Sequence, residues 1–356
     1  MTILRAMPPR AWVDVDLTAL VTNARTIASR SRARLLPMVK ANGYGLGAVQ
    51  VSRALEAVEP WGFGVATVAE GIELRTAGIS RPVVVFSPVV PAALDQCATH
   101  GLRPAIGDVA SLAAWVTTGK PFHLEIDTGM ARAGLRWSDG AALADAARLL
   151  ASASGWEGVF THFHSSDSDP AATQAQWERF ELVLSALPSR PPLVHAANSA
   201  AALAGTRYAA DLVRPGIFLY GGAAGGMAPM PVARLCARVI ARRQLQAGDS
   251  VSYGATWAAT SDTRVATLGI GYADGVPRSL SNHGSVEVRG RRCPILGRVT
   301  MDMTMIESDA ALGDVAAVFG GVITLDQQAV AAGTISYELL TSISPRVERH
   351  YSGGTA

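Results

Sequence analysis

Cysteine is scarce in this chain: three in 356 residues, Cys97, Cys236 and Cys293, far apart and in no metal-binding spacing. That excludes a disulfide framework and points to a reducing compartment. Neither sign of charge is in excess. The 31 basic and 29 acidic residues leave a net charge of +2, so nothing electrostatic calls for nucleic acid or a membrane surface as partner. No apolar run is long enough to span a bilayer, and the opening stretch MTILRAMPPRAWVDVDL lacks the apolar core of an export signal. Internal repeats and low-complexity tails are also missing. The expectation is a soluble, cytoplasmic protein. Its length, with 49% apolar and 17% charged residues, exceeds what one core commonly needs and points to a large domain plus a smaller one.

From about residue 35 to about residue 220, short β-branched runs alternate with alanine-rich helical stretches. The strand candidates are RLLPMVKA, WGFGVAT, PVVVFSP, RPAIGD, PFHLEID, GVFTHFH, LVHAANS and LVRPGIF. Between them, TVAEGIELRTAGI offers Thr67 as an N-cap with Glu70 three residues on. SDGAALADAARLLASAS and DPAATQAQWERFELVLSAL carry apolar residues at helical spacing. Eight such units predict an α/β fold, a TIM-like (β/α)8 barrel, with a doubly wound open sheet as the alternative. The glycine-rich stretch from Tyr220 to Pro231 reads as a linker. Beyond it, β-type runs divided by turn residues predict a mostly β domain with one late helix. The expected division is a barrel over residues 1–230 and a β domain over residues 231–356.

The chemistry-bearing residues gather at the expected C-terminal ends of the barrel strands, where such folds place their sites. Lys40 ends an apolar run and enters a glycine-punctuated loop containing Tyr44. A lysine so placed suits a Schiff base with a phosphorylated aldehyde cofactor; on this segment alone the better reading is a lysine that ends a buried strand by reaching into solvent, and the rest of the chain reverses that. Glu125, Asp127 and Arg132 follow the fifth strand, His162 and His164 the sixth, and Asn198 and Ser199 the seventh; Arg214, Gly216 and Ile217 sit at the eighth. Ser199 and the Gly216 and Ile217 amides could hold a phosphate, although Ser199 also suits a helix N-cap. His162 and His164, two apart on a strand, admit a metal-dependent hydrolase instead. Only His195 lies at a neighbouring strand end to help them, so no metal site is expected.

Taken together, VKANGYGLG, DTGMARAG, THFH, HAANSAA, VRPGIFLYG, VSYGATW, GIGYADGVPR and GRVTMD resemble, in order and nearly end to end, the motifs of the alanine racemase family. The resemblance implies a pyridoxal 5'-phosphate enzyme of fold type III that interconverts L- and D-alanine with two bases. Lys40 carries the cofactor and acts as the base for the D-enantiomer. Tyr253, from the C-terminal domain of the partner subunit, is the base for the L-enantiomer, which makes the enzyme a head-to-tail homodimer with composite sites. The resemblance further puts Arg214 against the pyridine nitrogen and His162 between Arg214 and Tyr253. Arg132 and the partner's Met301 amide hold the substrate carboxylate, and Tyr272 lines the entrance. Tyr44, Asn198, Ser199, Gly216 and Ile217 surround the cofactor and its phosphate. D-alanine biosynthesis for peptidoglycan precursors, or D-alanine breakdown, is the implied setting. An arginine at the ring nitrogen discourages protonation there, limits charge delocalisation and so suppresses transamination.

Two positions depart from the family pattern. Many members carry a carbamylated lysine where this chain has Glu125, which is expected to pair with Arg132 directly or through water. Pro345 stands about where relatives place a tyrosine, and Tyr351 lies too far along to replace it, so the entrance is expected to admit serine or larger amino acids as an alternative. A decarboxylase of the same architecture is a further alternative, but Cys293, in RRCPILG, does not resemble that family's cysteine. A barrel-only cofactor carrier would lack VSYGATW.

Overall fold

A computed structural model describes residues 9–354; part of the opening stretch read for an export signal lies outside the described residues. The chain divides into two compact units.

The first unit spans Leu20–Leu219 with Ala223–Pro229. In chain order, after β1 (Ala11–Asp16), come β2 (Arg34–Leu35), β3 (Phe63–Val65), β4 (Val83–Val85), β5 (Arg103–Ile106), β6 (Phe122–Asp127), β7 (Leu135–Arg136), β8 (Trp156–Phe160), β9 (Leu193–His195) and β10 (Leu212–Val213). All but β1 lie in one parallel sheet, ordered β2-β10-β9-β8-β6-β5-β4-β3, with β7 beside β6. The sheet closes on itself. Beyond β2, Gly64 N donates to Pro37 O and Val39 N donates to Gly64 O, each at 2.8 Å, joining the first barrel strand to β3. Val83, Val84 and Val85 are all buried, as befits strands covered on both faces. Leu36, Val84, Leu193 and Leu212 pack together in the core. Helix starts follow from caps: Thr67 and Glu70 form the expected capping box. Asp108, Asp139 and Asp169 accept from the amides of Ser111, Ala142 and Ala172.

The second unit is mostly β. Its long strand β11 (Ala233–Leu245) pairs along its first half with Val315–Phe319 and along its second with Thr263–Leu268; the register shifts between Val239 and Ala241. Two features differ from expectation. The N-terminal strand β1 belongs to this unit rather than to the barrel. It lies antiparallel to β11 and parallel to Glu348–Ser352, so its backbone groups are satisfied by the β sheet. Two late helices form, not one: Leu325–Ala331, started by a Thr324–Gln327 capping box, and Ser336–Thr341. Among the described residues no helix is long and apolar enough to cross a membrane.

Candidate active site at the barrel rim

Lys40 opens an unusual turn. Ala41, Asn42 and Gly43 have φ of 52°, 54° and 60° with ψ of 49°, 50° and 47°, and Tyr44 follows at φ 53°. Four successive residues are left-handed, where each non-glycine residue costs about 1–2 kcal/mol. Such strain persists only where surrounding bonds over-determine it. Gly43 N donates to Val39 O, Gly45 N to Ala41 O and Gly47 N to Asn42 O, each at 2.8 Å, and Asn42 Oδ1 accepts from Ala48 N at 3.0 Å. Glu70, expected only as a capping residue, does more. Its Oε1 accepts from Ala41 N at 2.7 Å, while Oε2 accepts from Ala66 N at 2.7 Å and Thr67 N at 3.2 Å. One carboxylate thus ties the lysine turn to the start of the next helix. Nothing in the local pattern around Lys40 signals this contact, which joins residues 29 apart.

Around Lys40 the barrel residues converge. Burial lowers its amine below the ordinary lysine range, Arg132 adds to this, Glu70 opposes it, and Arg214 contributes a smaller lowering. Arg214, almost fully buried, donates from Nη1 to His195 Nδ1 at 2.7 Å and from Nη2 to Thr161 O at 2.8 Å and Ala196 O at 3.0 Å. Its Nη2 also donates to His162 Nδ1 at 3.2 Å. Its Nε makes no hydrogen bond among the described residues, so one N–H of a buried cation remains for a ligand. Burial brings Arg214 down to about 9, against an opposing effect of Glu125. His162 falls to about 3 through burial and the charges of Arg214, Arg132 and Lys40, and is therefore neutral. Because the guanidinium only donates, His162 accepts on Nδ1 and carries its proton on Nε2.

The expected phosphate residues also meet. Gly216 N donates to Ser199 Oγ at 2.9 Å, leaving the Ser199 hydroxyl proton free to point elsewhere. A Cβ on Gly216 would fall 2.2 Å from Tyr44 Oη, so the phenol approaches here only because residue 216 is glycine. Ile217 follows directly and is buried. Asn198, not Ser199, caps the helix Ser199–Leu203; its Oδ1 accepts from Ala201 N and from Ser166 Oγ. His164 turns away, with Nδ1 2.6 Å from Ser165 Oγ. Among the described residues no group of three or more His, Cys, Asp or Glu could hold a metal.

Among the described residues the direct Glu125–Arg132 ion pair is not formed. Glu125 is buried, and burial lifts its carboxyl to about 7 despite the nearby charges of Arg132 and Arg214. It is therefore a pH-dependent counter-charge, acting on Arg132 through space.

The other three expected residues belong to the β unit, and all are exposed: Tyr253 at 72%, Tyr272 at 43% and Met301 at 54%. Tyr253 sits in a short 3-10 turn between Ser252 (φ 67°) and Gly254 (φ 73°), beside a cavity of about 410 Å³ also lined by Thr267, Thr300 and Met303. Tyr272 N donates to Thr300 O and Ala273 N to Met301 O, each at 3.0 Å, which ties the Tyr272 and Met301 loops together. Asp274, buried, holds this assembly through Arg10 at 3.0 Å and Arg346 at 2.7 Å. The segment containing Pro345 therefore anchors that loop through the neighbouring Arg346. Cys293 lies buried in the strand Arg291–Pro294, and Tyr351 lies in the strand beside β1.

The barrel thus gathers Lys40, His162 and Arg214 at its rim beside a strained turn, and the β unit exposes Tyr253. The family model for the alanine racemase N-terminal domain matches residues 15–224 and that for the C-terminal domain residues 232–351. The alanine racemase of Symbiobacterium thermophilum is 40% identical, over 97% of this chain and 98% of its own. That of Deinococcus radiodurans is 38% identical over 96% and 99%. The crystal structure of alanine racemase from D-cycloserine-producing Streptomyces lavendulae superposes with a TM-score of 0.91 at 30% identity, covering 98% of each chain. That from Bartonella henselae, with covalently bound pyridoxal phosphate, gives 0.90 at 30% identity over 97% and 100%. This chain belongs to the alanine racemase family.

Proposed function

We propose that this protein interconverts L- and D-alanine with pyridoxal 5'-phosphate held on Lys40, as a cytoplasmic homodimer in which each β unit completes the partner's barrel. The observation that carries the reading is the free Nε–H of buried Arg214, set beside a lysine whose amine burial makes easier to deprotonate. The residues fit the cofactor. Tyr44, Ser199 and the Gly216 and Ile217 amides would hold its phosphate, and Arg214 Nε its ring nitrogen. When bound, the cofactor withdraws electrons from the α-carbon and acidifies its hydrogen.

The chain's own residues then have distinct tasks. Lys40 takes or returns a proton at Nζ on one face of the α-carbon. A lysine amine and a tyrosine phenol ordinarily titrate near about 10, so a lowered lysine is closer to the neutral form a base needs. Tyr253 Oη of the partner subunit does the same on the opposite face. His162, neutral with its proton on Nε2, can donate to that phenolic oxygen while Nδ1 stays on Arg214. Arg214, cationic at the ring nitrogen, repels a proton there. Arg132 binds the substrate carboxylate, aided by the partner's Met301 amide, with Glu125 tempering its charge. Exposure of Tyr253, Tyr272 and Met301 supports their delivery to a second copy. Chiral chromatography of purified protein with L-alanine, L-serine and larger amino acids tests the proposal. Fast equilibration of alanine, and a visible absorption that disappears on borohydride reduction, are expected; colourless protein inert toward alanine would overturn it.

A further inference from the structure

Among the described residues, Arg214 is buried without a carboxylate hydrogen-bonded to it; its bonds end on two imidazoles and two carbonyls. A buried cation requires compensation. Glu125 supplies it through space, and His195 begins a hydrogen-bonded path away from the guanidinium. A guanidinium has no acceptor, so His195 Nδ1, 2.7 Å from Arg214 Nη1, must accept, and the His195 proton sits on Nε2. That Nε2 lies 2.7 Å from His123 Nδ1. His195 therefore donates and His123 accepts, which places the His123 proton on its own Nε2, 3.4 Å from Glu157 Oε2. Glu157 is bound in turn by Arg103 at 2.7 Å. The direction of every bond is set by the first. Both rings are fully buried, and burial holds both below the ordinary histidine range, so both are neutral. Burial alone would raise the Glu157 carboxyl, but hydrogen bonds from His123 and Arg103 bring it below the usual carboxylate range.

The surroundings are shaped for this path. Phe160 stacks on His195 at 5.0 Å and 9°, and Trp61 packs on His123 at 5.5 Å. A Cβ on Gly158 would fall 2.6 Å from His123 Nδ1, so glycine makes room for the ring. The path starts just after β10 and ends at Glu157 and Arg103, near the starts of β8 and β5. It therefore runs through the barrel from the ligand end of the strands to the opposite end.

We propose that Arg214, His195, His123 and Glu157 form a one-way hydrogen-bond chain in which His123 and Glu157 are positioning residues that fix the orientation of Arg214. A carboxylate bonded directly to Arg214 would cancel its field at the ligand; a chain of two neutral rings, ended by a carboxylate that Arg103 already pairs, anchors the guanidinium and leaves its charge in place. The role toward the cofactor ring rests on the proposed racemase reading. The tautomers do not, which separates the two failures.

Long-range 1H–15N correlation of imidazole-labelled protein tests the chain directly. His123 and His195 should both be neutral with the proton on Nε2. A proton on Nδ1 of either, or an imidazolium, would overturn the proposal whatever reaction the enzyme performs. Kinetics add a second arm. His123→Phe removes the acceptor and should lower kcat about tenfold with little change in KM. His123→Asn, whose Oδ1 can replace Nδ1, should recover to within about threefold. Equal losses in the two variants would refute a role for the acceptor.

Discussion

Replacing Glu70 with glutamine tests how Lys40 is presented. Three of the four left-handed residues, Ala41, Asn42 and Tyr44, are not glycine. At about 1–2 kcal/mol each, the turn stores about 3–6 kcal/mol that its bonds must offset. Glu70 accepts from three backbone amides, and its bond to Ala41 N is the one beside the lysine. Glutamine keeps one accepting oxygen and turns an NH2 toward an amide that needs an acceptor. A hydrogen bond to an ionised group contributes roughly 1.5–3 kcal/mol. After allowing for Glu70's partial exposure, the loss is about 2 kcal/mol, or about thirty-fold in the population of the turn at most. The substitution also removes the one nearby charge that raises the Lys40 amine, against the lowering by burial and Arg132. Measured as a pH profile in the D-to-L direction, kcat/KM should fall about tenfold, chiefly through kcat. The limb that reports Lys40 should move to lower pH, because losing a negative neighbour favours the neutral amine. Mere loosening would lower the profile without moving it. A profile unchanged in height and position would refute the reasoning.

Gly216→Ala should weaken cofactor retention at least about tenfold, because its Cβ would fall 2.2 Å from Tyr44 Oη; absorbance titration of cofactor-stripped protein checks this, and unchanged affinity would count against the phosphate assignment. Glu125 has a folded pKa raised from 4.5 to about 7, so the folded chain keeps a proton the unfolded chain has released, and stability should fall as pH rises through that window. The full effect is about 3 kcal/mol, read as urea midpoints at fixed protein concentration, and Glu125→Gln should flatten it; parallel curves would show that Glu125 does not titrate there. Tyr253→Phe should leave the visible spectrum intact yet slow L-to-D conversion at least about a hundredfold, and normal turnover would remove that phenol from the mechanism.

The barrel was legible because its strands are short β-branched runs buried on both faces, and each of the eight quoted segments contains or overlaps one strand. Thr67 and Glu70 announced their helix through a local capping pattern. The N-terminal segment was assigned to the barrel because its partners, β11 and Glu348–Ser352, lie more than two hundred residues away, and periodicity carries no pairing information over that distance. At the site, Lys40, His162, Ser199, Arg214 and Gly216 were readable as unusual residues at strand ends. Glu70's bond to Ala41 was not, since a capping box already accounts for that carboxylate. His123 and His195 carried a weaker signal: a histidine inside an apolar strand needs a buried partner, but only the fold names it. The direct Glu125–Arg132 pair is not formed among the described residues because family position fixes neither side-chain length nor the effect of burial on a shorter acid.

The shared two-base site is tested most directly by mixing Lys40→Ala chains with Tyr253→Phe chains and isolating the heterodimer. Each parent should be nearly inactive. The mixed dimer should recover up to about half of the wild-type activity per dimer, because one of its two sites then keeps both Lys40 and the partner's Tyr253. A verified heterodimer with no more activity than its parents would contradict delivery of Tyr253 across the interface.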